Sequence, residues 1–382
     1  MRFQFTETQE AFRKEVVSFL EAEKAADDTP WKSFELIGPS SIEFSRKLAE
    51  KNWIGINWPK QYGGRELSYV DKCILSEEMS RFQAPIGYHF LGERQVGPAL
   101  IKFGTDWQKE FFLPRITAAE EKSSFCLLFS EPDAGSDLAG MKMRAVPEGE
   151  EWVLNGTKMF ITNGVHGDLF FVAAKTDTEA PGSRGITMFI VERGTPGFSV
   201  GRALNKTGWL SSDTAELVFD GVRVPEGNVV GEVNRGFYCL VDNLQNERLT
   251  IGGMAIGECQ KALALTLDYV KQRKAFGGSL WDRETVRQRM AQLYAEVEAA
   301  RHLVYHCAWL DSRGEDCVKE TSMVKVLCGE LVNKVTYECV QFHGGAGYMR
   351  ETAVERMSRD ARVQAIGGGA TEVMREEIAK RL

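Results

Sequence analysis

The chain has 382 residues, of which 43% are hydrophobic and 26% charged, as in a globular protein of two or three domains. Its net charge of −7 argues against a general nucleic-acid binder. The eight cysteines show no C-x-x-C spacing, and no stretch reaches the ~18 apolar residues of a membrane span. The amino terminus, MRFQFTETQEAF, has no apolar signal core. We therefore predict a cytoplasmic protein with reduced thiols that binds neither nucleic acid nor membrane.

The first third of the chain, residues 1–123, has the pattern of a helical domain. Thr6 and Gln9 form a predicted capping box, and Phe12, Val16 and Leu20 follow at helical spacing. The same periodicity predicts further helices over 41–53, 68–82, 95–104 and 106–116.

Residues 124–233 show strand patterns instead. The segments DLFFVAAKT, GITMFIVER and AELVFDGVRV are short, apolar and bounded by turn residues. Asn155-Gly156, at the centre of EWVLNGTKMFIT, predicts a hairpin turn. We expect a small antiparallel β domain here, followed over 234–382 by a bundle of long helices. The predicted fold class is α+β, mostly α.

Glu247 is the most informative polar residue of the helical bundle. On a helix, four apolar residues lie on its face, at offsets of −7, −3, +4 and +7: Leu240, Leu244, Ile251 and Met254. Burial removes hydration from a carboxylate and makes it a candidate general base. The alternative is a buried ion pair with a neighbour such as Arg248, and periodicity alone leaves both interpretations open.

Other motifs have a functional and a structural interpretation. The loop FSEPDAGSDLAG (129–140) is suited either to a flat polar ligand or to a surface turn. Glu93 and Arg94, in an apolar helix, suit either a polar substrate tail or a solvated turn. His302 and His306 have the spacing of some zinc sites, but no third ligand follows, so no metal site is predicted.

Five motifs occur in the order of the acyl-CoA dehydrogenase flavoprotein family, which the chain resembles from Phe5 to Leu382. They are SEPDAGSD, NGTKMFITNG, VFDGVRVPEGNVVG, RKAFGG and QFHGGAGYMRETAVERMSRD. The resemblance implies an amino-terminal helical domain, a central β domain and a carboxyl-terminal four-helix bundle. It also implies FAD-dependent oxidation of an acyl-CoA to its trans-2-enoyl form, with hydride transfer to flavin N5. An electron-transferring flavoprotein is the implied electron acceptor, and a homotetramer or homodimer the implied assembly.

The resemblance also implies a set of binding residues. The FAD-binding residues are Phe129, Ser130, Gly135, Ser136, Phe160, Thr162, Arg273, Phe276, Gln341, Gly344, Gly345, Ala370 and Glu372. Among these, the loop 341–345 is expected to come from a neighbouring subunit. The substrate-binding residues are Leu244, Arg248 and Ser136, the last of them near the pantetheine arm of CoA.

The catalytic base implied by the resemblance is also Glu247. In many relatives the base is a glutamate at the position of Gly368, and glycine cannot accept a proton. A smaller branch, which includes isovaleryl-type and long-chain-type enzymes, carries its base at the position of Glu247. Gly368 is then expected to donate its N–H to the thioester oxygen and to leave room for a branched or bulky acyl group.

Two other functions remain open at this point. One is an oxygen-using flavin monooxygenase or oxidase, and the other is a non-catalytic flavoprotein that binds DNA. A net charge of −7 does not provide the basic surface that DNA binding requires. The acyl group and the physiological direction of the reaction are not determined by the sequence.

Overall fold

The computed structural model describes residues 4–26 and 41–382, so the first three residues of the amino-terminal sequence lie outside it. Helix α1 (Glu7–Ala25) begins at the predicted capping box: Thr6 Oγ1 accepts from the Gln9 N–H at 3.2 Å, and Gln9 Oε1 from the Thr6 N–H at 2.9 Å. The amino-terminal domain continues with α2 (Ile42–Glu50), α3 (Tyr69–Phe82), a π-helical turn (Gly92–Val96), α4 (Gly97–Phe103) and α5 (Asp106–Thr117).

The central β domain is one sheet, in which β1 pairs with β4 beside the path β6-β7-β3-β2-β4-β5-β8. Its strands are β1 (Phe125–Leu128), β2 (Arg144–Glu148), β3 (Glu151–Thr162), β4 (Leu169–Lys175), β5 (Ile186–Glu192), β6 (Phe198–Ala203), β7 (Thr214–Pro225) and β8 (Val229–Val230). Most pairs are antiparallel as predicted, but β4 pairs in parallel with β1 and β2. A long connection separates β1 from β4, as parallel pairing requires.

The prediction of a hairpin turn at Asn155-Gly156 is wrong. Both residues lie within β3, at an irregularity in its pairing with β7. Asn155 Oδ1 accepts from the Gly221 N–H at 2.8 Å, so its polar group is satisfied across the sheet. The tight turn is instead at Gly149 and Glu150, between β2 and β3. Pairing of β3 with strands on both sides outweighs the local turn preference.

The carboxyl-terminal domain is helical, apart from a short hairpin of β9 (Lys274–Ala275) and β10 (Gly278–Ser279). Its helices are α6 (Gly236–Val241), α7 (Leu244–Gln272), α8 (Glu284–Ser312), α9 (Val318–His343), α10 (Ala353–Ala361) and α11 (Thr371–Ala379). Helix α7 packs between α3 and α9. A Cβ at Gly257 would lie 2.1 Å from the Glu77 carbonyl oxygen, so only glycine permits this approach of α7 to α3.

A buried carboxylate connects the two helical domains. Glu77 on α3 accepts from Arg13 on α1 at 3.0 Å and from Arg301 on α8 at 2.9 Å. The Tyr305 hydroxyl, also on α8, donates to the other Glu77 oxygen at 2.6 Å. These charge-assisted hydrogen bonds hold α3, one wall of the site described below, against the carboxyl-terminal bundle.

All eight cysteines are buried and free, as their spacing indicated. Burial raises the thiol pKa, for example of Cys73 and Cys126. Among the helices of the described ranges, none has the length and apolar character needed to cross a membrane.

Candidate active site

Glu247 lies in the first turn of α7 and is 4% exposed. Its predicted apolar neighbours Leu240, Ile251 and Met254 are buried, and Leu244 is half-buried. The predicted burial of Glu247 is thus confirmed, but Leu240 lies on α6, and α7 is buried on every side from Glu247 to Cys259 rather than along one face. A carboxylate in the first turn is also stabilised by the positive end of the helix dipole.

The ion-pair partner of Glu247 is Arg94, not the predicted Arg248. Arg94 Nη2 lies 3.5 Å from Glu247 Oε1, and the Arg94 side chain is 8% exposed. Its guanidinium carbon lies 3.8 Å from the centre of the Phe90 ring. Burial lowers the pKa of Arg94, and the charge of Glu247 opposes that shift. Arg248 is buried as well, which lowers its pKa, and the charge of Glu247 opposes that shift.

The glycine run 367–369 passes directly over Glu247. Gly368 has a φ of +68°, and a Cβ built on it would lie 3.3 Å from Glu247 Oε1 and 2.8 Å from Ile251 Cδ1. The structure therefore brings together the two positions that the sequence comparison offered for the base. A side chain at residue 368 would occupy the space beside the Glu247 carboxylate.

Lys325 on α9 holds this glycine run in place. Its buried Nζ donates to the carbonyl oxygens of Gln364 at 2.5 Å and Gly369 at 3.1 Å. Burial lowers the pKa of Lys325 to about 8, and the charge of Glu247 partly opposes that shift. Lys325 is not among the residues predicted from the sequence, although a lysine within the apolar helical segment 318–343 was a detectable signal.

Two small cavities adjoin the site, with volumes of about 10 and about 40 Å³. They lie between α3, the π-helical turn and α7, and both are lined by Lys72, Glu93, Arg94 and Thr250. Glu93 accepts hydrogen bonds from Lys72 Nζ and, at 3.2 Å, from the Gly55 N–H. Because Glu93 and Arg94 are both enclosed, the solvated-turn interpretation of this segment is wrong.

The start of the loop 129–140 is held against β3. Lys158 Nζ donates to the Phe129 carbonyl at 3.1 Å, and the Met159 N–H to the Ser130 carbonyl at 2.9 Å. These bonds place Phe129 and Ser130 beside the part of β3 that carries Phe160. Two of the sequence-predicted flavin segments are therefore neighbours in the fold.

A buried ion pair that was not predicted from the sequence supports this loop. Lys158 Nζ lies 2.8 Å from Glu131 Oε1, and both side chains are buried. Glu131 also accepts from the Lys142 N–H at 2.5 Å and the Met143 N–H at 3.1 Å. A lysine within the apolar strand segment KMFIT was the available signal. The pair fixes both ends of the loop that contains Gly135 and Ser136.

The surface beside these segments suits a flat aromatic cofactor. Phe160 is 68% exposed with a φ of +63°, so the strand presents its ring outward in a conformation unusual for phenylalanine. Gly135 and Ser136 are exposed, and a Cβ at Gly135 would meet no atom within 4 Å. Thr162, at the end of β3, is half-buried. An exposed ring next to open backbone is the arrangement expected of a ring-stacking site.

The remaining predicted cofactor residues lie elsewhere. Arg273 and Gln341 are exposed, as is the Phe276 ring, at 91%. Gly344 and Gly345 follow α9 beside open space. Ala370 and Glu372 flank the start of α11, directly after the glycine run.

The ends of α7 and α9 are joined by an aromatic contact. The rings of Tyr269 and His343 stack with centroids 4.1 Å apart, and the Tyr269 hydroxyl donates to the His343 carbonyl at 3.2 Å. Gly344 and Gly345, which follow His343, therefore lie at the same end of the bundle as Arg273 and the β9–β10 hairpin that follows it. Arg273 comes 26 residues after Glu247 (273 − 247), which corresponds to ~39 Å along a helix.

The two histidines with zinc-like spacing do not form a three-ligand cluster with their neighbours. His302 Nε2 lies 3.3 Å from Glu298, and the His306 ring stacks near Trp309. Within residues 4–26 and 41–382 there is no group of three or more His, Cys, Asp or Glu side chains suited to a metal ion.

Comparison with known proteins gives matches over nearly the whole chain. Models for the acyl-CoA dehydrogenase N-terminal, middle and C-terminal domains match residues 6–120, 126–222 and 234–382. The mitochondrial long-chain specific acyl-CoA dehydrogenase of Mus musculus is 38% identical over 99% of this chain and 87% of its own length. The mitochondrial isovaleryl-CoA dehydrogenase of Pongo abelii is 36% identical over 98% and 88%. The crystal structure of an acyl-CoA dehydrogenase from Geobacillus kaustophilus superimposes with a TM-score of 0.91 at 36% identity, covering 100% of this chain and 99% of that one.

Proposed function

The chain belongs to the acyl-CoA dehydrogenase family, and we propose that it oxidises an acyl-CoA to the trans-2-enoyl-CoA, with FAD as cofactor and Glu247 as the base. The observation that carries this assignment is the position of Glu247. Its carboxylate is buried beside Gly368, which has no side chain with which to remove a proton. A carboxylate removed from bulk water is suited to general-base catalysis.

The residues present fit FAD. The open backbone at Gly135 and the outward Phe160 ring offer a surface for the flavin, which Phe129, Ser130, Ser136 and Thr162 complete. When bound, FAD supplies the acceptor for the hydride that leaves the β-carbon. Ala370 and Glu372 lie next to the glycine run and extend this surface.

The protein contributes binding, polarisation and proton removal. Leu244, Arg248 and Ser136 bind the acyl-CoA, and the N–H of Gly368 donates to the thioester oxygen as negative charge develops there. Glu247 takes the α-proton, and the electrons of that C–H bond form the new Cα=Cβ bond as the β-hydrogen departs with its electron pair. The walls formed by α3 and α7 keep water from the carboxylate.

Two features support assembly into a homotetramer or homodimer. The loop of Gln341, Gly344 and Gly345 is proposed to reach FAD bound to a neighbouring subunit, and it lies at the same end of the bundle as Arg273, ~39 Å from Glu247 along α7. Helices α8 and α9 also expose large apolar side chains, which are typical of interfaces. They are Tyr294, Trp309, Leu327 and Tyr337.

The proposed electron acceptor is an electron-transferring flavoprotein, and the proposed location is the cytoplasm. Eight buried free thiols fit a reducing compartment. An oxygen-using flavin enzyme is the alternative, and air distinguishes the two because it reoxidises only the oxygen-using type rapidly.

The test is anaerobic addition of straight, branched, aromatic and dicarboxylic acyl-CoAs to the FAD-loaded protein. We expect at least one class to bleach the visible flavin absorbance and to yield the 2-enoyl-CoA. The reduced enzyme should reoxidise slowly in air and rapidly with an electron-transferring flavoprotein. Absence of bleaching with every class would contradict the proposed reaction, and rapid reoxidation in air would favour the oxidase alternative.

Gly368→Ala is expected to slow reduction of the flavin by substrate at least ~10-fold, because a displacement of ~1 Å at a reacting group can cost up to ~10²-fold. The added methyl group would lie 2.8 Å from Ile251 Cδ1 and 3.3 Å from Glu247 Oε1. The positive φ would add roughly 1–2 kcal/mol of backbone strain. Anaerobic stopped-flow absorbance measures the rate.

Gly367→Ala is the matched control for this substitution. The nearest atom to a Cβ at residue 367 is 3.6 Å away, so an alanine there fits without displacement. We expect its rate to remain near that of the parent enzyme. Equal rates for the two alanine variants would show that residue 368 does not control the position of the base.

A further inference from the structure

Arg94 is a buried cation that uses few of its hydrogen-bond donors. Its Nε is buried and, in the described part of the chain, has no hydrogen-bond partner. Its contact with Glu247, at 3.5 Å, is longer than a hydrogen bond. A guanidinium has five N–H donors, and burial without partners is costly. Arg94 therefore has a buried donor, Nε, for which the described residues provide no acceptor.

Positive charge exceeds negative charge around Glu247. The side chains of Arg94, Arg248 and Lys325 are all buried, and the charge of Glu247 acts on each of them. Among the described residues, these three cations lie near one carboxylate, and only Arg94 forms an ion pair with it. This imbalance favours an additional anion in the site.

The nearest other charges do not remove the imbalance. Lys72 and Glu93 form one ion pair in the cavity wall, and Glu377 and Arg381 form another near Arg248. Each pair is neutral as a whole. The uncompensated charge therefore remains next to the base, and Arg94 is the member that lines both cavities.

From these contacts we infer that the substrate is an acyl-CoA whose short acyl chain ends in a carboxylate, bound by Arg94. The inference rests on the proposed function, since Glu247 then acts at the α-carbon. Arg94 lies 3.5 Å from Glu247, so its partner carboxylate lies only a few carbon–carbon bonds beyond the α-carbon. A planar guanidinium can bind a carboxylate through two parallel hydrogen bonds.

The substrate carboxylate also compensates for a change of charge during the reaction. When Glu247 takes the α-proton it becomes neutral, and Arg94 loses the only ion-pair partner it has among the described residues. A carboxylate on the acyl chain keeps Arg94 paired in both states. With an acyl chain that ends in a methyl group, Arg94 has no ion-pair partner among the described residues once Glu247 is protonated.

Binding of two matched products tests the inference without requiring turnover. Glutaconyl-CoA and trans-2-pentenoyl-CoA have acyl chains of the same length and differ in a terminal carboxylate against a methyl group. Calorimetry on the oxidised, FAD-loaded enzyme is expected to show at least ~10-fold tighter binding of glutaconyl-CoA, because its terminal carboxylate can accept charge-assisted hydrogen bonds from Arg94, whose Nε has no other partner among the described residues. Equal or tighter binding of trans-2-pentenoyl-CoA would overturn the inference.

Substitutions of Arg94 test whether its side chain causes the preference for glutaconyl-CoA over trans-2-pentenoyl-CoA. Arg94→Met should abolish the difference between the two products, and Arg94→Lys should retain part of it. Arg202→Met, which removes an arginine paired with Glu216 on the exposed face of the sheet, should leave the difference unchanged. An Arg94→Met enzyme that keeps the full preference for glutaconyl-CoA would refute the role of Arg94.

Flavin reduction by glutaryl-CoA and pentanoyl-CoA separates specificity from positioning of the base. If Arg94 binds the carboxylate, Arg94→Met lowers kcat/KM for glutaryl-CoA at least ~10-fold more than for pentanoyl-CoA. An equal loss for both substrates would mean that Arg94 only orients Glu247, and would overturn the inference. Absence of flavin reduction by every acyl-CoA would instead contradict the proposed function, whereas the product-binding ratio is measured independently of it.

Discussion

The Glu247→Gln enzyme is expected to keep its FAD but to reduce it ~10²–10⁴-fold more slowly with acyl-CoA, the usual contribution of a positioned general base. Glutamine preserves the size of the side chain and its position in the first turn of α7. It cannot accept the α-proton, so the C–H bond has no base within reach. Anaerobic stopped-flow absorbance gives the rate, and the flavin spectrum of the purified protein gives the FAD content.

Glu258→Gln is the matched control, because Glu258 is a second buried carboxyl group on the same helix. Burial raises its pKa well above the usual value, because the charged form loses its hydration. Gln364 Nε2 donates to it at 2.5 Å, and a glutamine carbonyl can accept the same bond. We expect the control to reduce its flavin at nearly the parental rate. A Glu247→Gln enzyme with the same rate would place the base elsewhere.

Lys158→Met is expected to lower the free energy of unfolding by roughly 3–5 kcal/mol, the usual cost of leaving one partner of a buried ion pair alone. Glu131 would remain buried without its cation, and the Phe129 carbonyl would lose a hydrogen bond. Burial lowers the pKa of Lys158 and Glu131 opposes that shift, so the pair is an interdependent unit. Because the loop that carries Ser130 is released, less FAD should be retained. Urea unfolding and the flavin content of the purified protein measure the two effects.

An exposed ion pair of equal length, between this loop and the residues that follow it, serves as the control. Lys142 and Asp133 lie 2.8 Å apart, with side chains 73% and 71% exposed. When Lys142 is replaced, water hydrates the exposed Asp133 carboxylate in its place. The free energy of unfolding of Lys142→Met should therefore be close to that of the parent protein. If Lys158→Met also has the free energy of unfolding of the parent protein and keeps its FAD, the buried pair does not hold the loop.

Local sequence patterns were sufficient to predict those features that depend on the residues of a single helix or strand. The capping box at Thr6 and Gln9, the order of helical, β and helical domains, and the burial of Glu247 all follow from spacing within single segments. Asn155-Gly156 shows the limit of such reasoning. Its turn preference is local, and pairing of β3 with two neighbouring strands overrides it.

The partners of the buried charges could not be predicted in the same way. Periodicity shows that Glu247 faces the interior, but Arg94, its partner, is 153 residues earlier in the chain (247 − 94). Lys325 and the glycine run, and Lys158 and Glu131, are also brought together by packing between separate elements. Each lysine was visible as a charge in an apolar segment, but its partner was not.

The sequence by itself thus determined the family, the order of the domains and the residue expected to act as base. Only the tertiary structure decided that Glu247 lies under Gly368 and shares its surroundings with Arg94, Arg248 and Lys325. The physical reason is that hydrophobic periodicity records which face of an element is removed from water. It contains no information on which distant side chain is packed against that face.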